Sequence, residues 1–100
     1  MTVAHSAPGR LGQVFDACRN ENRAALIGYL PTGYPDVATS IDAMVAMAAE
    51  CDIIEVGVPY SDPGMDGPVI ATAADAALHG GVRVSDTLRA VEAISAAGGK

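Results

Sequence analysis

The segment Cys51-Asp-Ile-Ile-Glu-Val-Gly-Val58 is apolar, rich in β-branched residues and closed by Pro59, which reads as a short buried strand. Side chains alternate along a strand, so Ile54, Val56 and Val58 point one way while Ile53, Glu55 and Gly57 point the other. The aliphatic set suits a layer of covering helices. Glu55 is thereby sent to the opposite face, near the C-terminal end of the strand. Burial there disfavours the charged form of a carboxylate. The strand alone leaves two readings of Glu55 open: an acid–base group, or a structural carboxylate paired with an Arg or Lys from elsewhere.

Working outward, Ala24-Ala-Leu-Ile-Gly-Tyr-Leu30 is a similar run without a helical stripe, stopped by Pro31, Gly33 and Pro35. It reads as a second buried strand, with Tyr29 on the face of Ala25 and Ile27. Helical spacing occupies the rest. Leu11, Val14, Phe15 and Cys18 form one stripe of a helix ending near Asn20. Asp36 is a plausible N-cap for a helix carrying Val37, Ile41, Met44, Val45 and Ala48 up to Glu50. Pro68 suits the first turn of an Ala-rich helix that runs to Gly80-Gly81. Ser85 is expected to cap a last helix, with Val84, Leu88, Val91 and Ile94 along one side and Gly98-Gly99 at its end.

Strands that alternate with helices, and are too far apart for hairpins, imply parallel βαβ units. Two architectures fit: an open doubly wound sheet and a (β/α)8 barrel. A barrel needs roughly 250 residues, and the sequence has 100. Two strands cannot close a barrel or shield their own edges, so a truncated domain is expected. Residues 1–10 read as a flexible start and residues 11–100 as part of a single domain.

Composition narrows the function. Half of the residues are apolar, but 19 of these are alanine, and aromatics make up only 4%, which argues against a self-sufficient small all-β domain. The net charge of −6, from 12 acidic and 6 basic residues without a basic cluster, argues against nucleic-acid and anionic-membrane surfaces. No apolar run approaches the ~20 residues of a membrane span, and the start lacks the basic and apolar regions of a secretory signal. Cys18 and Cys51, outside any CxxC, read as reduced thiols of a cytoplasmic protein.

The loop from Pro59 to Gly67 carries Asp62 and Asp66 directly beyond Glu55. Loops at the C-terminal ends of parallel strands build active sites, although Ser-Asp-Pro and Asp-Gly-Pro are also ordinary turn formers. His5 and His79 have no metal-like partners in spacing, and His79 suits a contact with a helix C-terminus. No glycine-rich phosphate motif occurs, and no metal site is expected.

The segment Ile53-Ile-Glu-Val-Gly-Val-Pro-Tyr-Ser-Asp-Pro-Gly-Met-Asp-Gly-Pro68 resembles the signature of the tryptophan synthase α subunit family. Leu26-Ile-Gly-Tyr-Leu-Pro-Thr-Gly-Tyr-Pro35 is similar to that family's first strand and loop, and the likeness runs from about Leu11 to Lys100. The wording of Pro31 to Pro35 and of the helix from Asp86 resembles actinobacterial members most. The resemblance implies the N-terminal part of a (β/α)8 barrel and a lyase that splits indole-3-glycerol phosphate into indole and glyceraldehyde 3-phosphate. It implies Glu55 and Asp66 as the catalytic carboxylates, Tyr29 lining the indole pocket, and Pro59 and Asp62 in a loop facing a β subunit. It further implies an α2β2 tetramer, with pyridoxal phosphate confined to the β subunit and no cofactor in this chain. Tyr34 stands where many members have Asp, and Gly64-Met65 where many have a larger apolar residue and then Ala. Two rival readings are a phosphosugar isomerase on a related barrel and an inactive module that only binds the β subunit. The 100 residues alone are expected to be inactive.

Overall fold

The computed structural model describes residues 9–60 and 66–100. The elements run α1 (Arg10–Asn20), β1 (Ile27–Pro31), α2 (Val37–Ala48), β2 (Ile53–Gly57), α3 (Pro68–His79) and α4 (Val84–Ala96). β1 and β2 pair in parallel, with Tyr29 opposite Glu55 and Pro31 opposite Gly57. Parallel pairing with a helix between is the βαβ unit expected from the sequence. Both strands are shorter than anticipated. β2 omits Cys51, Asp52 and Val58, and β1 starts at Ile27 instead of Ala24. The reason lies at residue 26: its N–H donates to the Asp52 carboxylate at 2.8 Å, while its carbonyl takes the N–H groups of Asp52 and Ile53. Regular pairing begins only beyond that junction.

The core forms on one face of the sheet. Met44 from α2, Ile54 from β2, and Ala90 and Ile94 from α4 are buried together, with Leu30, Ile41, Val45 and Val56 packed around them. Ile54 and Val56 thus face the helices, as strand parity predicts. α4 departs from expectation: it buries Thr87, Ala90 and Ile94, and leaves Val84, Leu88 and Val91 exposed. Close packing against α2 favours the smaller residues at the contact. Its N-cap is Arg83, not Ser85, because the Asp86 side chain accepts the Arg83 N–H at 2.8 Å and starts the helix earlier. Asp36 caps α2 as expected, taking the Thr39 N–H at 2.8 Å. Gly81 and Gly98, both at φ +86°, end α3 and α4.

α1 lies at the end where the strands begin. Of its apolar stripe only Cys18 is buried, and Arg10, read as part of the flexible start, opens the helix and reaches Ser95 and the Gly99 carbonyl. Residues 1–8 of that expected start fall outside the description. Arg23, just beyond α1, binds the Asp52 carboxylate at 2.9 Å. That guanidinium, with the Leu26 N–H, holds the Asp52 carboxyl at about 2, well below the usual carboxylate range. Cys18 and Cys51 are both free thiols. Among the described residues no helix is long and apolar enough to cross a membrane.

A carboxyl depressed in the folded state stabilises above its unfolded value near pH 4 and loses that contribution as pH falls towards 2. Asp52→Asn should therefore melt below the wild type at neutral pH, with the gap closing between about pH 4 and pH 2; a gap independent of pH contradicts the clamp. The face away from the helices exposes Ile27 at 46% and Tyr29 at 40%. In sedimentation the 100-residue chain by itself should self-associate, and a sharp, reversible monomeric melt would refute this.

Candidate active site

Parity carries Tyr29 and Glu55 to the same face of the sheet, on adjacent strands and in register. Neighbouring strands lie about 4.8 Å apart, so the two side chains rise side by side. Gly57 follows on that face, and what its missing side chain permits is specific. A Cβ at residue 57 would sit 2.5 Å from the Tyr29 hydroxyl oxygen and 2.8 Å from its Cζ. The Tyr29 ring therefore leans along β2 and fills the space above Gly57. A methyl group there would displace it.

Asp66 stands at the far end of the loop that follows β2, one residue before the Gly67 N-cap of α3. Partial burial holds the Tyr29 phenol above its usual value, and the negative charges of Asp66 and Glu55 add to this, with Tyr60 contributing. Pro59, half-buried, leads out of β2 into that loop. Asp62 lies outside the described residues, as do Gly64 and Met65.

One expectation needs correction. Glu55 was expected to be buried, and it is exposed. Among the described residues the helices pack on one side of the two-stranded sheet, and the Glu55 carboxylate on the other side stays open to water. Ile53 and Gly57, flanking it on that face, are nevertheless buried. His79 stays a helix-end residue, its ring nitrogen Nδ1 2.8 Å from the Asp75 carbonyl. Among the described residues no group of three or more His, Cys, Asp or Glu side chains could hold a metal ion.

Sequence reasoning passed over the hydroxyls beneath the site. Thr32 and Ser40 are both fully buried. Thr32 donates its N–H and its Oγ1–H to one acceptor, the Gly57 carbonyl, at 3.0 and 2.9 Å. Ser40 Oγ accepts the Gly33 N–H at 2.8 Å and donates to the Val37 carbonyl at 2.8 Å. No local signal marks either residue, because these hydroxyl bonds form only where the β1–α2 loop meets the end of β2.

The family described as tryptophan synthase alpha chain matches residues 15–100. The tryptophan synthase alpha chain of Mycobacterium avium (strain 104) is 73% identical over 101 residues, covering 100% of this chain and 37% of its own length. A solved structure of Mycobacterium tuberculosis tryptophan synthase superposes with a TM-score of 0.91 at 73% identity, covering 94% of this chain and 37% of that one. Tryptophan synthase subunit alpha of Legionella pneumophila follows at TM-score 0.73 and 27% identity, with 88% of this chain and 34% of that one covered. The chain thus spans a little over a third of the length of the relatives it matches. These neighbours are (β/α)8 barrels, so the parallel strands and their helices are barrel units, not part of an open doubly wound sheet. The chain belongs to the tryptophan synthase alpha chain family.

Proposed function

We propose that, within a chain of its relatives' full length, these residues carry the carboxylates of a carbon–carbon lyase. The reaction is the retro-aldol cleavage of indole-3-glycerol phosphate to indole and glyceraldehyde 3-phosphate. The observation that carries this reading is Glu55 paired with Tyr29 on adjacent parallel strands, with Asp66 closing the loop beyond their C-terminal ends, in a chain of this family. In the whole barrel the face bearing Glu55 is the lumen, where further strands enclose the carboxylate that water now reaches.

The chemistry asks for two differently placed carboxylates. The indole ring leaves through C3, a poor leaving group until C3 is protonated. Glu55, protonated, gives its proton to C3. Ionised, it then takes the proton of the hydroxyl beside the breaking bond. The electrons of that bond return to the ring as the aldehyde forms, and Glu55 ends protonated, ready for the next turn. Protonation at C3 spreads positive charge to the ring N–H, which an ionised Asp66 accepts, so its hydrogen bond strengthens as charge develops. Tyr29 supplies an aromatic wall for the ring. No cofactor of this chain enters these steps.

The loop containing Pro59 and Asp62 faces a β subunit, in an α2β2 tetramer whose pyridoxal phosphate belongs to that partner. Indole passes to it. The setting is the cytoplasm.

Glu55→Gln, in the full-length chain saturated with β subunit, should lower indole release by about 10²- to 10⁴-fold with an unchanged thermal melt. Near-normal release would sink the assignment, and a collapsed melt would point to a structural carboxylate. Near-normal release with intact stimulation of the β subunit would favour a binding module without chemistry. Asp66→Asn preserves the turn and removes the charge. Turnover should fall far more than KM rises, whereas unchanged turnover returns Asp66 to a turn-forming role.

A further inference from the structure

We propose that Thr32 is a positioning residue for Glu55, acting through the carbonyl of Gly57. Pro31 is the last residue of β1 and pairs with Gly57, the last of β2. The parallel ladder reaches the Gly57 carbonyl through the N–H of Thr32, its last rung, and strand ends with few hydrogen bonds fray. Here a second bond reinforces that rung. Thr32 places both its N–H and its hydroxyl on the Gly57 carbonyl, at 3.0 and 2.9 Å, and is itself wholly buried.

Thr32 is in turn held from behind. Gly33, its neighbour, donates its N–H to Ser40 Oγ, and Ser40 is anchored to the Val37 carbonyl at the start of α2. A buried chain therefore runs from the first turn of α2, through the β1–α2 loop, to the C-terminal end of β2. Gly57 lies two residues beyond Glu55, on the same face, directly beneath the Tyr29 ring. Fixing the peptide of Gly57 fixes the pitch of the strand end, and so the direction in which the Glu55 carboxyl points. A shift of about 1 Å at a reacting group can cost on the order of 100-fold in rate.

The hydroxyl and the N–H are separable. Thr32→Val keeps the shape and leaves the Gly57 carbonyl with one donor, so the carbonyl is not orphaned. Thr32→Ser keeps the hydroxyl. The inference rests on the proton-transfer reading of Glu55, and Glu55→Gln is run beside both variants to tell the two apart. All are made in the full-length chain with saturating β subunit, following indole release at a temperature well below the melt.

Thr32→Val should lower kcat about tenfold or more while KM stays within about twofold. Thr32→Ser should restore most of the loss, and the melts of both should stay close to the wild type. A wild-type kcat in Thr32→Val overturns the inference, as does a Thr32→Ser variant that loses as much as Thr32→Val, which would make the methyl the important group. If Thr32→Val does not fold, Thr32→Cys, with its weak thiol donor, takes its place under the same criteria. An active Glu55→Gln variant removes the reaction reading, and this inference with it. An inactive Glu55→Gln beside a fully active Thr32→Val removes this inference alone.

Discussion

One carbonyl oxygen, that of Gly57, joins the two strands where the candidate chemistry lies. It accepts two bonds from Thr32, and the α-carbon it belongs to carries no side chain because the Tyr29 ring occupies that space. Both facts meet at the last rung of the sheet. Thr32 closes the ladder with its N–H and adds a second bond with its hydroxyl. Gly57 cannot grow, because its cross-strand neighbour two residues earlier leans over it. The face bearing Tyr29 and Glu55 is consequently built from a few residues that limit one another's freedom, and the aliphatic packing of Met44, Ile54, Ala90 and Ile94 holds the sheet from the other side.

The opposite end of the same pair of strands is fastened by charge. Asp52 binds Arg23 and takes the Leu26 N–H, which ties the segment after α1 to the segment before β2. Neutral hydroxyl bonds thus sit at the end with the carboxylates, and the ion pair sits at the other. The separation has a physical rationale. A threonine hydroxyl fixes the backbone at that end without setting a further charge beside Glu55.

The face shared by Tyr29 and Glu55 was legible because a strand's period of two is rigid: placing Ile54 and Val56 against helices leaves Glu55 no other side. The αβ alternation, the cap at Asp36, the helix start at Pro68 and the helix end at Gly98 were legible from local residue types. What failed to show was decided by neighbours in space. The exposure of Glu55 depends on how many strands surround it. The buried edge of α4 is set by how near α2 comes, which favours Ala90 and Thr87 over Leu88. Arg83 displaces Ser85 as cap because Asp86 reaches back to its N–H. Thr32 and Ser40 carry no local signal, and their burial appears only once the loop folds over the strand end. The choice between barrel and open sheet came from family resemblance, since both share the same local pattern.

The central claim is that Glu55 exchanges a proton with carbon C3 of an indole ring. Indole alone, held in D2O with the full-length chain and its β subunit, offers the most direct test, with proton NMR following the C3 hydrogen. A protonated carboxyl poised at C3 should wash that hydrogen out for deuterium well above the background rate, and Glu55→Gln should return the exchange to background. Equal exchange by the wild type and the variant would contradict the account.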